Sequence, residues 1–129
     1  MGFLEKYQPQ LLSVLRIVAG LLFLEHGTMK LLGWPVSTLP PPPAEFALLL
    51  TIAGIIELAG GVLVTMGYFT RIAAFIMSGE MAIGYWLGHA ARTGYVFPAQ
   101  NGGDAAILFC FAFLYIAAAG PGPWSLNQK

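Results

Sequence analysis

The chain has 129 residues, 57% of them hydrophobic and only 9% charged, with a formal net charge of zero and a mean hydropathy of +0.73. Soluble domains carry about 25% charged residues, so this chain cannot coat a water-facing surface, and lipid must be its main solvent. The zero net charge and the lack of a basic patch exclude nucleic acid as an expected partner. The length suits one domain, 1–129.

Residues 1–10 read as a short polar lead-in ending at Pro9. The first predicted span runs over about 11–32, roughly 33 Å of helix, enough to cross a bilayer core. It is too long and too charged for a signal-peptide core, and no small-residue cleavage site follows, so the N-terminus is expected to be retained. Gly33, Trp34 and Pro35 stop it, with Trp34 as an interfacial anchor. The four prolines Pro40 to Pro43 predict an extended surface connector.

The second span is expected over about 44–67, the third over about 70–91, and the fourth over about 103–119. Gly67 to Thr70 form a tight turn, and residues 92–102 form a second long loop. The predicted fold is all-α, an integral membrane four-helix bundle with the lipid bilayer as its surroundings. An even number of spans puts both termini on one side, here called side A, with the loops 33–43 and 92–102 on side B. Lys6, Arg71 and Lys129 lie on side A with Arg16 near it, against Lys30 and Arg92 on side B. That bias predicts a plasma (inner) membrane protein with both termini cytoplasmic.

Arg16, Glu25, His26, Glu57, Glu80, His89 and Asp104 all fall inside or at the edges of spans. Such residues are expensive in hydrocarbon and normally face a bundle interior or a polar cavity. Counting from the span ends puts Glu57 and Glu80 near the midplane, and Glu25, His26, His89 and Asp104 toward side B. At 100° per residue, Arg16, Gly20, Phe23, Gly27 and Lys30 share one face of the first span, and Glu25 falls opposite Arg16. Gly54, Glu57 and Gly61 share a face of the second span; Met77, Glu80, Gly84 and Gly88 share one of the third. Small residues beside a carboxylate allow close helix approach.

Arg16 and Glu57 read either as a structural ion pair or as parts of a site. Glu80 reads either as an interhelical hydrogen-bonding acid or as a site residue. Asn101 is placed to cap a helix opening at Asp104, and His26 and His89 suit interfacial hydrogen bonding. No Glu-x-x-His pair and no His-x-x-x-His is present, so no metal site is expected. The single cysteine, Cys110, cannot form an internal disulfide and reads as a packing residue.

Four ordered segments carry a resemblance. These are Leu15–Gly27 followed by Lys30-Leu31; Glu57–Leu63 leading to Gly67 and Thr70-Arg71; Asn101–Asp104; and Gly120–Leu126. Together they resemble the DoxX family of small four-helix membrane proteins, in which Glu often stands where this chain has Asp104. The resemblance runs from about 11 to 127. It implies kinship with a group that includes the larger subunit of an archaeal thiosulfate:quinone oxidoreductase and members of thiol-redox complexes. On that footing the expected role is a membrane subunit of a quinone-linked redox complex. Arg16, Glu57, Glu80 and His26 would line a quinone pocket, and Glu57, Glu80, His26 and His89 are the candidates for proton transfer. No covalently bound cofactor is expected, the electron donor would be a partner protein or another subunit, and a homo-oligomer is open. A non-catalytic scaffold subunit and a small proton-coupled transporter are the alternative classes.

Overall fold

The computed structural model describes residues 1–129. It is all-helical, and four long helices run antiparallel in chain order. Helix α1 is Gln8–Leu32. Helix α2 is Ala47–Met66, entered through a tighter turn at Ala44–Phe46. Helix α3 is Thr70–Gly84; it continues through a widened π-type turn, Tyr85–Ala90, into Ala91–Thr93. Helix α4 is Asp104–Ala119. A short turn, Gly2–Glu5, precedes the bundle, and another, Pro98–Asn101, sits in the second long loop.

The helix boundaries have local causes. α1 begins at Gln8 rather than beyond Pro9, because Pro9 occupies the first turn, where no backbone N–H is needed. Gly33 ends it in the left-handed region, at φ 68°, with its N–H on the Met29 carbonyl. Gly67 ends α2 in the same way, at φ 72°. These are positions where a side chain would be strained.

Lipid, not protein, covers most of the surface. Gln8–Leu32 and Ala44–Met66 are each long and apolar enough to cross a membrane, yet only 33% and 28% of their most apolar stretches are buried. Leu48, Ile72, Phe75, Leu108 and Phe111 all point outward. A water-soluble bundle would bury such residues, whereas a bilayer solvates them.

Contact between helices is made by small residues. A Cβ on Gly27 would stand 2.5 Å from the Leu58 backbone nitrogen, and one on Gly61 would stand 2.7 Å from that of Leu24. Gly20 likewise faces Thr65, and Gly60 faces Met77. These pairs set the register of α1 on α2 and of α2 on α3. On α4, Phe113 and Phe109 meet Phe23 of α1 edge-to-face, at 4.6 and 5.0 Å. Ala19, Phe23, Val64, Ala73, Ala74, Met77, Phe113 and Ile116 form the buried core. Because Val64 and Ile116 lie toward the ends of α2 and α4, and Ala73 toward the start of α3, this larger cluster fills the half of the bundle nearer side A, while a smaller one of Tyr85, Ala90 and Ala106 lies toward side B.

The close approach is testable. Gly27→Ala should destabilise the protein by about 1–3 kcal/mol, because the new methyl meets rigid backbone. Gly79→Ala, where an added Cβ meets nothing within 4 Å, should instead gain about 0.5–1 kcal/mol of helix stability. Thermal unfolding in detergent, followed by circular dichroism, checks both. Equal melting temperatures for the two variants would contradict the register described above.

Candidate functional site

The intramembrane polar residues divide into two groups at different depths. The group near side A is built on arginine. Arg16 is fully buried. Its Nε donates to the Pro121 carbonyl at 2.7 Å, and its Nη1 donates to the carbonyls of Val64 and Thr65, both at 2.7 Å. Its Nη2 donates to the carbonyl of Trp124. The C-terminal turn of a helix leaves carbonyls without intrahelical partners, and a cation there also suits the helix dipole. Arg16 thus closes α2 and ties it to the Gly120–Trp124 segment. Arg71 does the same for α4, donating to Ala117 at 3.0 Å and also to Ala118 and Ala119. The C-terminal segment is held further by Trp124 N–H on Ser13 Oγ at 3.3 Å and by Leu126 N–H on the Gly67 carbonyl at 3.1 Å.

The expected Arg16–Glu57 ion pair does not form. The register that places Gly20 against Thr65 and Gly27 against Leu58 puts Arg16 beside the last turn of α2. Glu57 lies seven residues earlier, roughly 10 Å away along the axis. Its partner is Lys30, whose Nζ donates to Oε1 at 2.9 Å and to Oε2 at 2.7 Å. The Glu57 side chain is 3% exposed and that of Lys30 is 26% exposed. Lys30 shares a face with Gly27, but its position near the span end hid it as a partner until the register of α1 on α2 was known.

Glu80 completes this second group. Its carboxyl reaches that of Glu57 across the α2–α3 contact, with Lys30 as the nearby cation. Its Oε2 is buried with no hydrogen-bond partner. Lys30, Glu57 and Glu80 therefore come together from three helices.

The other candidates lie elsewhere. The His26 ring is exposed and its Nδ1 is 2.7 Å from the carbonyl of Leu22, one turn back on its own helix. His89 Nδ1 is 3.2 Å from the Asn101 carbonyl, and its ring stacks on Tyr85 at 6.4 Å. Glu25 and Asp104 are exposed. Asn101 is buried, but it does not cap α4. Gly103 is the N-cap, and Asn101 Oδ1 accepts from the Gly103 N–H at 2.8 Å. Its Nδ2 donates to Tyr85 Oη at 3.1 Å and to the Tyr95 carbonyl at 3.0 Å. Asn101 thus ties the second long loop to the widened turn of α3, a role that spacing alone does not reveal. No group of three or more His, Cys, Asp or Glu side chains is placed to hold a metal. Cys110 is a free thiol, with its carbonyl accepting from Ser78 Oγ at 2.7 Å.

Fold and polar cluster together define a small multi-pass membrane protein with two acids and a lysine gathered inside the bundle. The chain belongs to the DoxX family, whose model matches residues 11–90, a stretch that contains all three cluster residues. It is 44% identical to an uncharacterized protein of Haemophilus influenzae, over 100% of this chain and 97% of that one. It is 30% identical to the inner membrane protein YphA of Escherichia coli, over 95% of this chain and 91% of the relative. A third relative, the uncharacterized membrane protein Rv3486 of Mycobacterium tuberculosis, is 27% identical over 94% of this chain and 82% of its own. No solved structure matches the chain.

Proposed function

We propose that this chain is the membrane subunit of a quinone-linked redox complex, with the Glu57–Glu80 pair exchanging protons with a bilayer-borne quinone. One observation carries the reading: a buried Glu80 carboxyl oxygen without a hydrogen-bond donor, beside a glutamate already held by lysine. Reduction of a quinone to a quinol takes up two electrons and two protons. The electrons come from a partner protein. A carboxylic acid in a low-dielectric bundle is a suitable proton donor to the reduced oxygen, and the lipid-exposed helices give a lateral route for a ligand dissolved in the membrane. His26 and His89, toward side B, are the groups that would resupply protons. In this reading Arg16 supports the pocket from below by fixing α2.

The test is direct binding. A short-chain ubiquinone or menaquinone analogue is titrated into the purified protein in lipid nanodiscs, with bound ligand measured by equilibrium dialysis. Saturable binding is expected, with Glu80→Gln about tenfold weaker, a loss of roughly 1.4 kcal/mol. Absence of saturable binding to the wild-type protein defeats the reading.

A scaffold role is the second reading, and Arg16 and Arg71 favour it. Their hydrogen bonds go to backbone carbonyls, which serves architecture rather than chemistry. Under that reading, Glu80→Gln leaves both quinone reduction and co-purification of partner subunits unchanged.

Orientation belongs to the same proposal: both termini in the cytoplasm of a plasma membrane protein. A cysteine at Ser37, in a Cys110→Ser background, should react with an impermeant maleimide from outside intact cells. Labelling only in inverted vesicles would reverse the topology.

A further inference from the structure

We infer that Lys30, Glu57 and Glu80 form a binding site for one exchangeable proton, loaded from side B and sealed from side A. The inference starts from charge and position, and it stands whether or not a quinone binds.

Three ionisable groups meet: two carboxyls and one ammonium. Lys30 gives both of its short contacts to Glu57. Glu80 is left against Glu57 with Oε2 buried and unpartnered. The charged groups acting on it are Glu57 from α2 and Lys30 from α1. α4 supplies none: Asp104 is exposed at its side-B end, Cys110 is held against Ser78, and Tyr115 faces outward. With both carboxyls ionised, the cluster would carry one uncompensated negative charge in a medium of low dielectric. One proton bridging the two carboxyls removes that charge and supplies the missing donor to an oxygen that has none.

Access is one-sided. Toward side A, the cluster is followed by Val64 on α2, Ala73, Ala74 and Met77 on α3, and Phe113 and Ile116 on α4, each 5% exposed or less. Below them Arg16 clamps the C-terminal segment over α2. Toward side B, Tyr85, Ala90 and Ala106 close the contact between α3 and α4, whereas Lys30 on α1 is 26% exposed. Lys30 is therefore the outer member of the site, and the proton reaches Glu80 past it.

Dicyclohexylcarbodiimide tests this on the whole protein in native membrane vesicles. It is lipid-soluble and reacts with the neutral acid, since its nitrogen takes the proton before the carboxylate adds to its carbon. Peptide mass spectrometry should find the adduct on Glu80 or Glu57. Glu80→Gln should lower total labelling at both positions by about tenfold or more, because the one remaining carboxyl is then balanced by Lys30 and the cluster has no excess charge for a proton to remove; Glu80→Asp should keep it. Raising the pH on the side reached by the residue-37 label should slow the reaction, and raising it on the other side should not. Sodium at fixed pH should have no effect. The inference is overturned by absence of an adduct on wild-type protein, by full labelling of Glu80→Gln, by control from the side of the termini, or by protection with sodium. The last result would make a metal cation, not a proton, the occupant.

Discussion

Arg16→Leu should cost more stability than any other single substitution in the bundle. The substitution removes every side-chain donor that reaches the carbonyls of Val64, Thr65, Pro121 and Trp124. A buried polar group left unpaired costs about 1–3 kcal/mol, and of these four only the Val64 carbonyl keeps another donor, the Gly67 N–H at 3.2 Å. Arg16→Lys should recover only part of the loss, because an ammonium has three donors and no rigid fork. Arg71→Leu is the matching control at the end of α4. Its bonds lie in exposed surroundings, where water can replace the guanidinium, so its cost should be under about 1 kcal/mol. Two measurements check this. One is unfolding in detergent; the other is chymotrypsin cleavage after Trp124, which should become rapid in Arg16→Leu as the C-terminal segment comes loose. Unchanged cleavage would mean that the segment is held without Arg16. Because Arg16 does not touch Glu57, the losses from Arg16→Leu and Glu57→Leu should add to within about 0.5 kcal/mol.

The helices were legible in the sequence because their causes are local. Long apolar runs ended by Gly33 and Gly67 need no knowledge of neighbours. The depth of Glu57 and Glu80 follows from counting, and their meeting follows from both lying near the midplane of adjacent antiparallel helices. What stayed hidden depended on register or on backbone. The partners of Arg16 are carbonyl oxygens, which every residue possesses, so no pattern of side chains announces them. Choosing between Arg16 and Lys30 as the partner of Glu57 required knowing that Gly27 seats on Leu58. The glycines on both helices hint at close packing, but not at which pair is in contact. The widened turn at Tyr85–Ala90 has the composition of ordinary helix, and Asn101 reaches Tyr85 only because that turn and the loop fold together. Helical phase does explain why His26 parts from the acids. It lies at the margin of the face that carries Phe23 and Gly27, and one step further around the helix leaves it outside the core.

A double-mutant cycle on Lys30 and Glu57 should show coupling of about 1–3 kcal/mol, and the two single losses should be unequal. Removing one partner of a buried ion pair leaves an uncompensated charge, at a cost of about 3–5 kcal/mol when the site is closed to water. The site is not equally closed at both ends. Glu57 is 3% exposed and Lys30 is 26% exposed, so the pair falls short of that fully buried figure. In Glu57→Leu, the lysine can extend its long side chain to the side-B interface, which lowers the penalty. In Lys30→Leu, Glu57 has no such exit, and the single negative charge it shares with Glu80 is left without a cation. Lys30→Leu should therefore be the more damaging change. The double variant, which leaves an apolar contact between α1 and α2, should recover part of that loss. Adding Glu80→Gln to Lys30→Leu should not rescue stability, because the bridging proton already leaves the two carboxyls a single negative charge. A larger loss from Glu57→Leu than from Lys30→Leu would show that water reaches Glu57 from a direction other than side B. In that case the apolar core below the cluster would not be a seal.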